Sequence, residues 1–586
     1  MILQALASYY DQLLSQGQVP RSGWSPVKVS FALTLDEQGR LIDLLPLKEE
    51  VQRGKKTVLI PRVYQLPQPV IRTAGARANF LCDNAGYLLG IDGKGKPERT
   101  RKCFALCGQL HEQLLSGCDH PAARAVCAHF ATWDPAAARE NPILAPYLDE
   151  LLAGANLIFR FGGQFLQDIP EIAAAWDSRP GEDEQPVYGR CLVTGNYQPI
   201  AQLHNPIKGV KGAQSTGAAL VAFNAPSFTS YEKEQSYNAP VGKPAVFAYT
   251  TALNYLLADG EHVQHIGDTT VVYWSENAQP AYPDIWGGSI QGESEKFSPE
   301  ILHAAMEALA QGHTYQLDGQ TLEPDVHFYI LGLAPNAARL SVRFFYQDTF
   351  GALMKNVRQH YRDLEMVHPA FEKFEQLSLS ALLYETVNKN ARDKSAVPVM
   401  AGAVYRAITG GTPYPESLLN SAMLRIRAER RISWGRASII KAVLLRRQNT
   451  PPQLKEVLQV KLNENSSYSP YVLGRIFSVL EAAQQEANPN INATIRDRYF
   501  NSAASTPASI FPVLMRLYNA HIKKISNPKH KNHYERQLQE LIGKLDETLP
   551  ARHSLPQQQA FYMGYYHQNQ NRYEKKSGVQ KTEEDN

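Results

Sequence analysis

Residues 188–257 read YGRCLVTGNYQPIAQLHNPIKGVKGAQSTGAALVAFNAPSFTSYEKEQSYNAPVGKPAVFAYTTALNYLL, and six of them are glycines. Glycine is favoured where the backbone takes a positive φ or where another group approaches it closely. The stretch therefore predicts irregular loops, closed by a helix from Ala245 to Leu257. Strands are predicted on both sides of it, at Leu157–Phe161 and at Thr269–Trp274, so these loops lie within a mixed α+β region.

Side chains that bond to phosphates and base edges lie between the glycines. The only carboxylates are Glu232 and Glu234, so the stretch suits binding of a polyanion better than cleavage of a bond. The alternative is a flexible surface loop without a ligand. We predict nucleic-acid contacts for Lys208, Lys211, Gln214, Ser215, Asn224, Gln235 and Asn238.

Several motifs in and around this stretch resemble the large subunit of the type I-C CRISPR Cascade surveillance complex. The motifs are CLVTG (191–195), HNPIKGVKGA (204–213), SYEKEQSYNAPV (230–241) and YTTALNYLL (249–257). The resemblance extends to MILQALASYYDQL (1–13), NFLCDNAGYLLG (79–90), NATIRDRYF (492–500) and FYMGYYHQ (561–568). It therefore spans nearly the whole chain.

The resemblance implies a binding role without a cofactor. Such a subunit joins a filament of backbone subunits and a handle-binding subunit on the CRISPR RNA (crRNA). It inspects the protospacer-adjacent motif (PAM) in double-stranded DNA, helps to form the R-loop, and docks a helicase-nuclease. It also implies a separate small subunit, made from an internal start near Val460, which resembles the C-terminal part and guides the displaced strand.

Bulk composition excludes few classes of function. The net charge of +3 over 586 residues is too small to mark the whole molecule as a nucleic-acid binder. No apolar run is long enough to span a bilayer, and the N-terminus lacks the basic region of a signal peptide. We therefore expect a cytoplasmic protein without a membrane partner, whose six cysteines are reduced thiols.

The predicted fold is α+β, with small sheets and Gly-rich loops first and an α-helical bundle last. Val27–Leu35 is predicted as one strand, paired with 40–47 in a hairpin. Ser469 is predicted to cap a helix whose buried face carries Leu473, Ile476, Phe477 and Leu480. The predicted domains are 1–345 (α+β), 346–459 (helical, Arg-rich), 460–568 (bundle able to fold alone) and a disordered tail, 569–586.

Three further basic groups are candidates for nucleic-acid binding. Arginine at high density can follow a phosphate backbone, although it can equally form a solvated helix face or pair with distant acids. The candidates are Arg425, Arg427, Arg430, Arg431 and Arg436 in a helical segment, Lys523 and Lys524 in a loop, and Lys55, Lys56 and Arg72 near the N-terminus.

Nothing in the sequence forms a recognisable catalytic or metal-binding motif. The Walker pattern and a carboxylate cluster for two-metal cleavage are both missing, and the lone Cys191 and His204 prove nothing without spatial contact. The cysteines and histidines between Cys103 and His129 are interpreted as core residues, with zinc as the alternative. We predict no enzyme activity; the competing hypotheses are a metal-dependent nuclease and a general nucleic-acid scaffold.

Overall fold

The computed structural model describes residues 1–53, 56–70, 75–93, 95–179, 186–369 and 376–577. Apart from the first two residues, the chain forms two compact units. Residues 3–205 and 222–252 form unit 1, and residues 206–221 together with those from 253 onward form unit 2. These limits do not coincide with the predicted boundaries at 345 and 459, because the residues on both sides of these positions share one hydrophobic core. The Gly-rich stretch divides between both units.

Unit 1 combines short strands with helices of moderate length. Its helices are α1 (Ile2–Ser15), α2 (Ala85–Leu88), α3 (Pro97–Leu115), α4 (Pro121–Thr132), α5 (Leu148–Leu152) and α6 (Pro170–Asp177). Its strands are β1 (Trp24–Val29), β2 (Phe31–Leu35), β3 (Leu41–Pro46), β4 (Lys48–Arg53), β5 (Lys56–Pro67), β6 (Cys82–Asn84), β7 (Asn156–Phe161), β8 (Gln164–Phe165), β9 (Tyr188–Arg190) and β10 (Tyr197–Pro199).

The main sheet of unit 1 has the order β3-β2-β7-β6, and β8 also pairs with β7. Strand β2 is buried along its whole length and runs parallel to β7, with Phe31 opposite Leu157. The predicted strand Val27–Leu35 is in fact two strands in different sheets, since β1 pairs with β5. The chain changes sheet at Ser30, whose N–H donates to Asn156 O and whose carbonyl accepts from Leu47 N.

Helix α7 (Lys243–Ala258) divides between the two units, and unit 2 follows it. The strands of unit 2 are β11 (Val263–Ile266), β12 (Thr269–Ser275), β13 (Tyr315–Leu317), β14 (Gln320–Leu322), β15 (His327–Asn336) and β16 (Arg339–Thr349). Its helices are α8 (Ala281–Gln291), α9 (Pro299–Ala310), α10 (Phe350–Leu364), α11 (Leu379–Tyr384), α12 (Pro398–Thr409), α13 (Glu416–Glu429), α14 (Trp434–Arg446), α15 (Pro452–Glu456), α16 (Ser469–Ala487), α17 (Ile495–Ser505), α18 (Pro507–Ile522), α19 (Pro528–Ile542) and α20 (Leu555–Ser577).

One continuous hydrophobic core runs through unit 2, from Ile266 on β11 to Tyr566 on α20. An antiparallel sheet of order β11-β12-β15-β16 forms one part of it. Helix α14 is buried at nearly every position because helices pack around it on several sides. The α+β class is therefore confirmed, with small sheets first and helices dominating the C-terminal half.

Helix α16 is the centre of the C-terminal helices. The predicted buried residues, Leu473, Ile476, Phe477 and Leu480, are buried, but so are the other faces of the helix. Its N-cap is Tyr468 rather than the predicted Ser469, which is the first helical residue. Tyr566 Oη donates to Val367 O over 2.6 Å, so the core of this bundle includes residues before 460.

The predicted disordered tail from residue 569 is wrong for residues 569–577, which continue helix α20. Gln570 is buried, so packing supports the helix beyond residue 569. Residues 578–586 lie outside the described part of the chain. No described helix is long and apolar enough to cross a membrane.

Candidate nucleic-acid interface

A loop of unit 2, residues 206–221, carries four of the predicted contact residues. Its base is closed by Ile207 and Ala218, whose N–H groups each donate to the other's carbonyl over 2.9 Å. Beyond this bridge, Ala219 N donates to Ala338 O over 3.0 Å and Leu340 N donates to Ala219 O over 2.9 Å, which ties the loop to the β15–β16 hairpin. The loop is thus held at its base rather than free.

Two further hydrogen bonds fix the backbone that bears the lysines. Lys208 N donates to Asn254 Oδ1 over 2.8 Å, and Lys211 N donates to Thr270 Oγ1 over 3.1 Å. Gly217 has a φ of +101°, and a methyl group there would come within 2.7 Å of Pro206 Cβ, so this turn requires glycine.

The four predicted side chains of this loop, Lys208, Lys211, Gln214 and Ser215, are exposed. Burial, assisted by the positive charge of Lys211, lowers the pKa of the nearby His265. At neutral pH the loop therefore presents positive charge from its lysines beside an uncharged imidazole. Cations and an amide on a fixed backbone are the groups that contact phosphates and base edges.

A tight turn in unit 1, residues 230–233, presents Tyr231. Tyr231 is 93% exposed, and both Tyr231 (φ +51°) and Glu232 (φ +58°) have left-handed backbone conformations. A bulky residue with positive φ is strained, and such strain persists only where surrounding contacts impose it. The sequence alone did not single out Tyr231, because its backbone conformation cannot be predicted from residue type.

Asn238 imposes that conformation. Its Oδ1 accepts from Ser230 N over 2.8 Å, and its Nδ2 donates to Lys233 O over 2.6 Å and to Gln235 O over 2.9 Å. The amide of Asn238 therefore braces the turn, and its predicted nucleic-acid contact would require these bonds to break. Gln235 has a φ of +46°, and its Oε1 is buried without a hydrogen-bond partner among the described residues. Asn224 is exposed.

The seven predicted residues of the Gly-rich stretch thus lie on two units. Lys208, Lys211, Gln214 and Ser215 belong to unit 2, whereas Asn224, Gln235 and Asn238 belong to unit 1. Among the weaker candidates, Lys55, Arg72 and the side chain of Lys56 lie outside the described residues. Lys523 and Lys524 are exposed just after helix α18.

The Arg-rich segment is partly internal. Arg436 is only 1% exposed; its Nη1 lies 2.7 Å from Glu429 Oε2 and its Nε lies 3.4 Å from Glu385 Oε2. We therefore remove Arg436 from the nucleic-acid contacts, because its guanidinium neutralises acids inside unit 2. Arg427 is half-buried and donates to Gln558 Oε1 over 2.8 Å.

Neighbouring cations of the same segment are also engaged inside the unit. Lys441 Nζ donates to the carbonyls of Arg362, Asp363 and Glu365, which end helix α10. Arg446 Nε lies 2.6 Å from Asp363 Oδ2. Of the predicted contact residues here, Arg425 is half-buried, whereas Arg430 and Arg431 are exposed.

Cysteine and histidine side chains of unit 1 pack in its core. Cys107 and His111 are both buried, and His111 Nδ1 lies 2.7 Å from Cys107 O while His111 Nε2 accepts from Leu81 N over 3.1 Å. Burial lowers the pKa of His111 to about 4. In the part of the chain that is described, no three His, Cys, Asp or Glu side chains come together as metal ligands.

Cys191 and His204 each have other partners. Cys191 Sγ accepts from Val193 N over 3.4 Å and from Thr194 N over 3.5 Å. His204 Nδ1 lies 2.6 Å from Tyr249 Oη, and burial lowers the pKa of His204 to about 4. These contacts support a structural role for both residues.

Comparison with known families identifies the chain. The profile of a family described as CRISPR-associated protein (Cas_Csd1) matches residues 6–573. The match thus covers both units and nearly the whole chain. No curated protein matches the chain.

Proposed function

Because the chain belongs to the Cas_Csd1 family of CRISPR-associated proteins, we propose that it is the non-catalytic large subunit of a type I-C Cascade complex. In this role it binds the crRNA-loaded filament and recognises the PAM in double-stranded DNA. Pairing with the guide reads the long target sequence, so the protein needs to read only the short adjacent motif.

The observation that carries this proposal is the braced loop of residues 206–221. Lys208 and Lys211 stand exposed on a backbone that is fixed through Asn254 and Thr270. A fixed backbone lowers the entropy cost of ordering these side chains on a ligand. Gln214, on the same loop, is the side chain suited to bidentate reading of adenine, and the lysines are suited to guanine or phosphate.

A role in opening the duplex is supported by the turn at Tyr231. An exposed aromatic ring can stack against a base that has left its pair. Asn238 holds the turn through three hydrogen bonds, so the backbone that carries the ring is fixed before DNA arrives. The exposed Arg430, Arg431, Lys523 and Lys524 remain candidates for contacts with the phosphate backbone.

We propose the remaining partners from the family membership of the chain, and not from a particular contact in the structure. We propose that the helical half of unit 2 lies along the displaced strand beside the small subunit, and that the chain contacts the backbone subunits, the handle-binding subunit and the recruited helicase-nuclease. The separate small subunit would comprise about residues 460–568. Contacts such as Tyr566 to Val367 would then be exchanged for others in the free form.

Substitutions in the loop test the PAM-reading role. In the assembled complex, Lys208→Ala and Lys211→Ala should weaken binding of all duplexes alike and each reduce the salt slope by about one. Gln214→Ala should instead lower the discrimination between PAM and non-PAM duplexes by about 1–3 kcal/mol. Affinities are measured on a panel of duplexes that differ only in the adjacent base pairs, across a salt series.

The matched control is Lys455→Ala, which removes a lysine from short helix α15, distant in sequence from the loop. If all three loop variants bind every duplex as the parent does, the loop does not read the motif. Equal affinity of the parent complex for PAM and non-PAM duplexes would favour the general scaffold instead.

We further propose that the chain has no nuclease or ATPase activity. The purified protein, incubated with Mg²⁺ or Mn²⁺ and labelled DNA or with ATP, should leave both substrates intact, because no acid cluster for two-metal cleavage and no Walker loop are recognisable in its sequence. Metal-dependent cleavage that a single carboxylate-to-alanine change abolishes would establish the nuclease alternative.

A further inference from the structure

The hairpin β9–β10 of unit 1 has two different faces. Tyr188 pairs with Pro199 and Arg190 pairs with Tyr197. Because side chains alternate along a strand, these four residues share one face. Gly189 and Gln198, which form the intervening pair, belong to the opposite face.

The inner face packs on its own unit. A methyl group at Gly189 would come within 3.1 Å of Ile200 Cγ1, and one at Gly242 would overlap the side chain of Gln198. The turn of the hairpin is also fixed, since Cys191 N donates to Asn196 O over 2.9 Å and Leu192 N donates to Pro240 O over 2.9 Å. The hairpin is therefore a rigid support.

The outer face carries two stacked aromatic rings at the surface. Tyr188 is 54% exposed and Tyr197 is 73% exposed. Their ring centroids lie 6.0 Å apart with an interplanar angle of 23°. Each ring covers part of the other, and the remaining ring surface faces solvent. Exposed aromatic surface on a rigid element is typical of binding sites.

Charge identifies the kind of partner. Arg190 is exposed on the same face as the tyrosines, and no acidic residue occurs in the sequence between Gln185 and Glu232. An arginine beside exposed tyrosines, without nearby carboxylates in the sequence, complements a chain of phosphates that carries aromatic bases. A protein partner with an acidic surface would match the arginine but not require the stacked rings.

We infer that the Tyr188/Tyr197 face is a stacking platform for a short unpaired stretch of nucleic acid, with Arg190 beside its phosphates. This inference rests on the proposed function, since an opened duplex supplies such a stretch. We therefore assign the displaced DNA strand as the occupant; guide RNA carries the same chemistry of unpaired bases and phosphates, and its binding is an outcome of the test.

Binding of labelled oligonucleotides to the full-length protein tests the platform. The probes are dT15, rU15 and a blunt duplex of the same length, and binding is followed by anisotropy. The double variant Tyr188→Ala/Tyr197→Ala should weaken binding of a single strand by at least about tenfold and leave duplex binding unchanged. Tyr188→Phe/Tyr197→Phe should bind within about twofold of the parent, because the rings are kept. Tighter binding of dT15 than of rU15 is expected for displaced DNA, and the opposite preference would overturn that assignment.

Two matched measurements make the test decisive. Tyr384→Ala removes another exposed tyrosine, on helix α11, and should leave binding unchanged. Crosslinking of the unmodified protein to oligonucleotides that carry 5-iodouracil should label Tyr188 or Tyr197, which does not depend on the folding of any variant.

Three outcomes would overturn the platform. They are unchanged single-strand binding in the double alanine variant, an equal loss in the phenylalanine variant, and crosslinks only to other residues. Reduced assembly with partner subunits at unchanged single-strand affinity would mark the face as a protein interface, which also overturns it. PAM-dependent duplex binding is measured separately, so failure of the platform and failure of the proposed function remain distinguishable.

Discussion

Replacing Gly564 or Gly474 with alanine is expected to destabilise unit 2 by at least about 3 kcal/mol. Helices α16 and α20 cross at these two glycines. A methyl group at Gly564 would overlap Tyr471 O, and one at Gly474 would overlap Phe561 O and come within 2.8 Å of Tyr565 N. Both obstacles are backbone atoms of the opposite helix, so no side chain can move aside. Urea unfolding followed by circular dichroism measures the loss of stability.

Gly402 on helix α12 provides the matched control. It is also a buried helical glycine, but a methyl group there would meet only Thr269 Oγ1, at 3.9 Å. Gly402→Ala should therefore be neutral or stabilise the unit by up to about 1 kcal/mol, because alanine is the better helix former. If Gly564→Ala behaves like Gly402→Ala, the close crossing of α16 and α20 is wrong.

These glycines illustrate what sequence can predict about the fold. The motif FYMGYYHQ, which contains Gly564, contributed to the family resemblance. The apolar period of α16 correctly identified one buried face of that helix. The pattern could not predict that the opposite face is buried too, because Arg475, Glu481 and Gln484 look like solvent-exposed residues in sequence. Their burial depends on helices that are distant in the chain, such as α20, whose Gln568 accepts from Arg475 Nε over 3.0 Å.

The candidate interface was predictable in part for a related reason. Loop composition identified the exposed Lys208, Lys211 and Gln214, since glycines and cations are a local signal. Whether a polar side chain faces a ligand or its own backbone depends on the folded conformation, which composition does not specify. Asn238 braces its turn and Arg436 pairs with Glu429 and Glu385, the latter from a segment about fifty residues earlier. From residue type alone, Asn238 and Arg436 cannot be distinguished from their exposed neighbours.

Buried histidines should make unit 2 sensitive to mild acid. His360 lies in the core with its Nδ1 2.6 Å from Tyr414 Oη, and His567 lies with its Nδ1 2.9 Å from Tyr471 Oη. Burial, with the positive charge of Arg446 nearby, lowers the pKa of His360 to about 3. Burial likewise lowers the pKa of His567 to about 4. Both rings are therefore held neutral in the folded unit.

The direction of the pH effect follows from these lowered pKa values. In the unfolded chain a histidine binds its proton near pH 6.5, whereas the folded unit resists protonation until about pH 3–4. The stability contribution is complete above about pH 6.5 and is lost as the pH falls toward the folded pKa. Between about pH 7 and about pH 5, each histidine should cost about 2 kcal/mol of the free energy of unfolding.

His360→Asn and His567→Asn test this directly, because asparagine offers a polar atom close to the position of Nδ1 but does not titrate. Each variant is expected to be less stable than the parent at about pH 7.5, since the smaller side chain leaves a cavity. Between about pH 7 and about pH 5, however, each should lose about 2 kcal/mol less than the parent. Urea unfolding at both pH values gives the difference, in which the cost of the cavity cancels. An identical acid loss in parent and double variant would mean that these two rings do not take up the protons, and that other groups whose pKa is lowered by burial in the folded unit, such as His553, account for the loss instead.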